Sequence, residues 1–132
     1  MGMGETKDRA AEPRDSQAVA RLAARTAASK QGGAVVILDV REVITITDYF
    51  VIVSGTSDRQ VTTIAEEVVK ELKANGARPV RTEGGLGARW VLVDFVDLVV
   101  HVFHEEEREF YRLENLWQDA PVVDWEAGAE AS

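Results

Sequence analysis

Arg89-Trp90-Val91-Leu92-Val93-Asp94-Phe95-Val96-Asp97-Leu98-Val99-Val100-His101-Val102-Phe103-His104 is the stretch that decides the fold. β-branched and aromatic residues fill both of its arms, the composition of half-buried strands. The arms meet at Asp94-Phe95-Val96-Asp97, and Glu105-Glu106-Glu107 opens a helix directly after the second. Side chains alternate across a strand, so Trp90, Leu92 and Asp94 share one face while Val91, Val93 and Phe95 share the other. The second set is core. The first places a large aromatic and a charge on the opposite surface, where an isolated domain has little use for them, which makes it a candidate binding face. The turn holds neither glycine nor asparagine. A tight type I′ turn would force Phe95 or Val96 to positive φ at real cost, so a different turn or a bulge is expected.

Working outward, Glu83 to Ala88 is a glycine-rich loop, and Pro79 to Thr82 reads as a short strand near a sheet edge because proline cannot donate to a ladder. Before it, Val61, Ile64, Ala65, Val68 and Leu72 recur at helical spacing on one apolar face, ended by Asn75-Gly76. Tyr49 to Val53 and Ala34 to Val40 are apolar runs of strand length, with Val43 to Thr47 ambiguous between strand and link. Asp15 or Ser16 can cap a first helix carrying Val19, Leu22, Ala23 and Ala27, which Gly32-Gly33 ends. After the hairpin, Phe110, Leu113 and Trp117 fit a last helix whose three leading glutamates complement its dipole. The order α-β-β-α-β-β-β-α gives an α/β (α+β-like) domain, a mixed five-stranded sheet flanked by helices. Residues 1–15 read as a disordered lead, 16–124 as the single domain and 125–132 as a flexible acidic tail.

The chain has 132 residues, enough for one domain with a real core. With no cysteine, disulfides, thiol nucleophiles and cysteine-ligated zinc are excluded, and an intracellular setting is compatible. No apolar run approaches the roughly 20 residues of a membrane span, and the polar start does not read as a secretory signal. Met1 to Thr6 matches the N-myristoylation pattern, which is short enough to arise by chance. The net charge of −8 repels phosphate backbones and suits a basic protein partner. Arg78, Arg81 and Arg89 are the nearest approach to a basic group, with Glu83 among them, so no specific nucleic acid is expected.

Few residues here can carry chemistry. Ser54-Gly55-Thr56-Ser57-Asp58-Arg59 lies between a strand and a helix, where phosphate-binding loops occur, but it lacks P-loop spacing. Ser57 followed by Gln60 reads instead as a capping box. His101 and His104 are three apart on one strand, so they point to opposite faces and cannot share a metal; His101 is expected to hydrogen-bond within or beside the sheet. Asp94 and Asp97 form a conceivable carboxylate pair, yet both flank a turn, where aspartate is common for capping alone. No catalytic residue, cofactor or metal is expected.

Together, Ile46 to Ile52, Ser54 to Val61, Glu83-Gly84, Trp90 to Asp94, Asp97 to His104, Arg108-Glu109-Phe110-Tyr111, Leu116-Trp117 and Asp119-Ala120-Pro121 resemble the ribosomal silencing factor (Iojap-like) family over about residues 16 to 124. The family often has glycine in the hairpin turn where this chain has Val96. The resemblance implies a fold like the nucleotidyltransferase core without its catalytic residues. It also implies a non-enzymatic cytoplasmic translation repressor. Such proteins bind a large-subunit ribosomal protein, number fourteen in that subunit's series, and by their bulk keep the small subunit from joining when nutrients run short. Trp90 matches the family's partner-contacting tryptophan. The expected partner face comprises Trp90, Leu92, Asp94, Glu83, Arg59, His101 and Tyr111. Two alternatives stay open: a nucleotidyl-transfer enzyme using Asp94, Asp97 and the Ser54–Asp58 loop, and a homodimer in which the Trp90 face is self-complementary.

Overall fold

The structure is a computed structural model that describes residues 13–84, 87–111 and 119–126. Its elements are α1 (Pro13–Ser29), β1 (Gly33–Asp39), β2 (Tyr49–Gly55), α2 (Asp58–Ala74), β3 (Arg81–Glu83), β4 (Trp90–Asp94), β5 (Leu98–His104), α3 (Glu105–Tyr111) and β6 (Val122–Val123). The strands form one sheet in the order β3-β4-β5-β2-β1-β6. Only β2 and β5 run parallel, with Ile52 opposite His101; the other pairs are antiparallel. The sheet is thus mixed, as expected, but has six strands. Val122 and Val123 pair with Leu38 and Ile37, a contact too short to leave a periodic signal. β3 also lies two residues later than the Pro79–Thr82 expectation, and its first bond, from Val80 N to Asp94 O, starts only beyond the proline.

One face of the sheet is the main core. Val61, Ile64, Ala65, Val68 and Leu72 of α2 are buried against it, the stripe read from the sequence. α1 begins at Pro13, inside the expected lead, a position where proline's fixed φ suits the first helical turn. Its buried apolar residues are Ala20, Ala23, Ala24 and Ala27, with Val19 and Leu22 only partly covered. Small side chains let this helix approach both α2 and the sheet closely. The left-handed residue after α1 is Gln31, at φ 67°, and not a glycine. Gly32 is needed for room: a Cβ there would lie 2.5 Å from Val53 Cγ2.

The hairpin between β4 and β5 resolves its awkward turn in an unexpected way. Asp97 N donates to Phe95 O at 3.0 Å, and Phe95 N to Leu98 O at 2.8 Å. With Val96 at φ 80°, this is a γ-turn of the strained hand. Val96 N donates to Asp94 Oδ1 at 2.8 Å, so the carboxylate helps to hold a conformation that a β-branched residue resists. The turn does differ from type I′, but it does not avoid the positive φ.

Candidate partner-docking face

The second face of the sheet carries the residues that the alternation singled out. Trp90, Leu92 and Asp94 of β4 stand opposite Phe103, His101 and Val99 of β5, which in turn stand beside Ser54, Ile52 and Phe50 of β2. Phe50, Ile52, Val99 and Phe103, with Leu38, Val40 and Ala120, make a second apolar cluster, against which Leu92 is partly buried. α3 begins on this side, where buried Arg108 donates from Nη1 to Ser54 Oγ at 2.9 Å. Across β4, Val91 and Val93 are buried in the main core.

Trp90 caps this layer and is 38% exposed. Its indole stacks on Phe103, with ring centroids 4.8 Å apart and planes 26° apart. Its Nε1 donates to His101 Nδ1 at 3.3 Å. That bond makes Nδ1 the acceptor and leaves the neutral ring's proton on Nε2. Nε2 is buried and has no hydrogen-bond partner among the described residues. His101 itself is 6% exposed and touches Phe50 edge-on at 5.1 Å. Burial pushes its pKa down from 6.5 to about 4, because desolvation penalises the charged ring. An uncharged, rigidly held imidazole thus fixes the indole's tilt from below, consistent with the expectation that His101 bonds beside the sheet. Phe103, the platform beneath the indole, was not singled out from the sequence. Its place two residues after His101, on the same strand face, was the signal that could have found it.

Charges rim the face. Glu83 of β3 lies opposite Leu92 and pairs with Arg81 at 3.4 Å, while Arg81 also reaches Asp94 at 3.8 Å. These pairs are exposed and contribute little to stability. Arg89 is likewise engaged, at 2.8 Å from Glu106, 3.1 Å from Glu107 and 3.4 Å from Asp58. Its guanidinium is held further toward the charged form, first by the hydrogen bond to Glu107. It fastens the starts of α2 and α3 to β4. Of Arg78, Arg81 and Arg89, the last two are therefore paired with acids.

The structure places Trp90, Leu92, Asp94 and Glu83 on one side of the sheet, with His101 buried beneath them. Arg59 is exposed in the first turn of α2, the helix covering the other face. The Tyr111 backbone ends α3, while its side chain lies outside the described residues, as do Leu113 and Trp117. Asp94 and Asp97 serve different neighbours. Asp94 takes the Val96 N–H, whereas Asp97 is bonded by Ser16 and has its pKa raised by burial and by Asp48. Ser57 caps α2, accepting from Gln60 N at 3.1 Å. The Gln60 amide oxygen accepts from Thr56 N at 2.6 Å and its nitrogen donates to the Lys30 and Gln31 carbonyls, so this loop's polar groups are occupied structurally. His104 Nδ1 accepts from Glu106 N and points away from His101's role. Among the described residues no cluster of three or more potential metal ligands occurs, and no helix is long and apolar enough to cross a membrane.

Comparison with known proteins places the chain in a family. The family model described as "Ribosomal silencing factor during starvation" matches residues 13–132. The ribosomal silencing factor RsfS of Bacillus subtilis is 41% identical over 114 residues, covering 86% of this chain and 97% of that protein. The mouse protein named "Mitochondrial assembly of ribosomal large subunit protein 1" is 43% identical over 74 residues, 54% of this chain and 32% of its own length. A crystal structure of a Chromobacterium violaceum protein superposes with a TM-score of 0.75 at 33% identity, covering 77% of this chain and 85% of that one. By sequence and by fold, this chain belongs to the ribosomal silencing factor family, whose name denotes a regulatory role at the ribosome.

Proposed function

We propose that this protein represses translation by docking on a basic protein of the large ribosomal subunit, the fourteenth in that subunit's series, and obstructing the small subunit sterically. The observation that carries this reading is the part-exposed Trp90, held on Phe103 and His101 at the edge of an apolar layer. Tryptophan, tyrosine and arginine are enriched among the residues that carry most of the binding energy at protein interfaces. The acidic rim and net charge of −8 favour a basic partner and disfavour bare RNA. A large-subunit target also fits the name of the mouse relative. Such a repressor would act in the cytoplasm, where ribosomes assemble on messages, and needs no chemistry beyond occupancy of one surface.

The test is sedimentation of the purified protein with isolated large and small subunits, followed by a joining assay. Selective association with large subunits and a lower yield of joined ribosomes are expected. Equal association with both subunits, or unchanged joining at saturating protein, refutes the proposal. Measuring the mass of the free protein separates this reading from a homodimer that hides Trp90. A dimer unchanged by excess large subunits would favour the second.

A further inference from the structure

Exposed aliphatic side chains gather at one end of the sheet. Ile46 is 79% exposed, Val80 65% and Val96 53%, with Val43 also exposed. Backbone bonds tie their segments together. Asp48 N donates to Asp97 O at 3.1 Å, joining the β1–β2 loop to the β4–β5 turn, and Val80 N donates to Asp94 O at 2.8 Å. Ile46 and Val96 are therefore no more than about 16 Å apart, counted through Asp48 and Asp97. Trp90 stands at the other end of β4, about 14 Å from Asp94. Exposed aliphatics scattered singly need no explanation, whereas grouped ones mark interaction sites.

The same end carries costs that the free domain does not recover. Val96 holds the left-handed conformation that glycine would adopt without strain, yet more than half of it is exposed. Thr47, beside Ile46, is buried with its Oγ1 unpartnered among the described residues. Burial and the neighbouring Asp48 both disfavour the charged form of Asp97. Glu42, Asp48 and Asp97 make no ion pair with a described residue. Arg41 forks onto Asp39 at 2.7 and 2.9 Å, and Arg78, two residues before Val80, is a single cation against three acids. A place where several local rules break together is where function is expected. We propose that this end of the sheet docks a basic polypeptide segment that also carries aliphatic side chains, a second protein contact separate from the Trp90 face. The segment's lysine or arginine heads reach Glu42, Asp48 and Asp97. Its aliphatic groups, with the methylene stems of the basic ones, cover Ile46, Val80 and Val96. Three unpaired carboxylates repel nucleic-acid phosphates, and a second copy of this chain, at −8, brings the wrong charge.

The full-length protein is titrated, by fluorescence anisotropy, with a labelled peptide of about ten residues in which lysine and leucine alternate. One saturable site per chain is expected, with Kd on the order of 100 μM. Lysine–serine and glutamate–leucine versions of the peptide should each bind at least about tenfold more weakly, because each removes one half of the match. Ile46→Ser with Val96→Asn should weaken the lysine–leucine peptide by about tenfold; asparagine tolerates the left-handed turn. Glu42→Lys with Asp48→Asn should do the same. Glu71→Gln, which removes an exposed acid on α2, should leave binding unchanged. Absence of saturation, equal binding of either altered peptide, unchanged binding in a folded double variant, or equal weakening by Glu71→Gln overturns the proposal. Should one double variant fail to fold, the other decides, because Ile46, Val96 and Glu42 are all exposed. No ribosome enters the titration, so its failure leaves the ribosomal docking proposal standing, and the reverse holds as well.

Discussion

Replacing Trp90 by alanine separates the packing of the indole from its proposed docking role. With 38% of the residue exposed, about three-fifths of a side chain that can bury roughly 150–250 Å² is already packed, on Phe103 and His101. At about 25 cal/mol/Å² this amounts to roughly 2–4 kcal/mol, an upper figure because unfolded chains are themselves partly collapsed. Trp90→Ala should therefore cost the free domain about 2–3 kcal/mol, below the roughly 3–5 kcal/mol of an emptied core tryptophan site. A domain of ordinary stability, about 5–15 kcal/mol, stays folded at 25 °C after that loss. The exposed remainder, roughly 60–95 Å², is what a partner can still cover, which comes to about 2 kcal/mol, or roughly thirtyfold in Kd. Denaturant unfolding gives the first quantity. Titration of large subunits with labelled protein, at a temperature where circular dichroism shows the variant folded, gives the second. Binding within about threefold of the parent by a folded variant would refute the anchor role. A stability loss near 5 kcal/mol would show the indole to be core instead.

Three further outcomes follow from the geometry. Val96→Gly should raise stability by about 0.5–1 kcal/mol, since glycine removes the left-handed penalty of roughly 1–2 kcal/mol but frees the unfolded chain; a lower melting temperature would show that Val96, 53% exposed, makes packing contacts that outweigh its strain. His101 is neutral when folded, with a pKa near 4, and takes up a proton near 6.5 when unfolded, so its contribution is full above about pH 6.5 and is lost as pH falls toward 4. Unfolding of His101→Phe at pH 7 and at pH 4.5 should accordingly show a shallower pH dependence than the parent, and equal slopes would contradict the burial. Raising salt should mainly slow association with large subunits, because charge steering acts over roughly a Debye length of 8–10 Å; a steep dependence of the equilibrium constant would point to phosphate contacts.

Legibility in the sequence followed physical range. The α2 stripe and the two-faced β4 are written in local periodicity, and there the structure agrees residue by residue. So is the Ser57 cap, which needs only four consecutive residues. Long-range partnerships left no such trace. Val122 and Val123 look like tail residues until Ile37 and Leu38 are placed beside them, some 85 positions away. Trp90's bond to His101 and its stack on Phe103 depend on the hairpin register, which the turn sets. The turn was the least readable part, because Val96 breaks a local rule that the surrounding β4–β5 ladder overrides. Arg108 falls in the same class. Its burial against Ser54 joins residues 54 positions apart, and nothing in its neighbours announces it.

Both margins of the sheet are stubs. β3 has three residues, all exposed and two of them charged, and Pro79 precedes it; β6 has two. An open sheet runs the hazard of joining copies of itself strand to strand, since an unpaired edge is a template for any extended chain. Margins this short, the β3 one also charged, supply too few consecutive backbone groups to seed such growth. The proposed docking face can thus stay open while the rims stay inert, and a variant that lengthened β3, for example by relieving Pro79, would be the place to look for fibres.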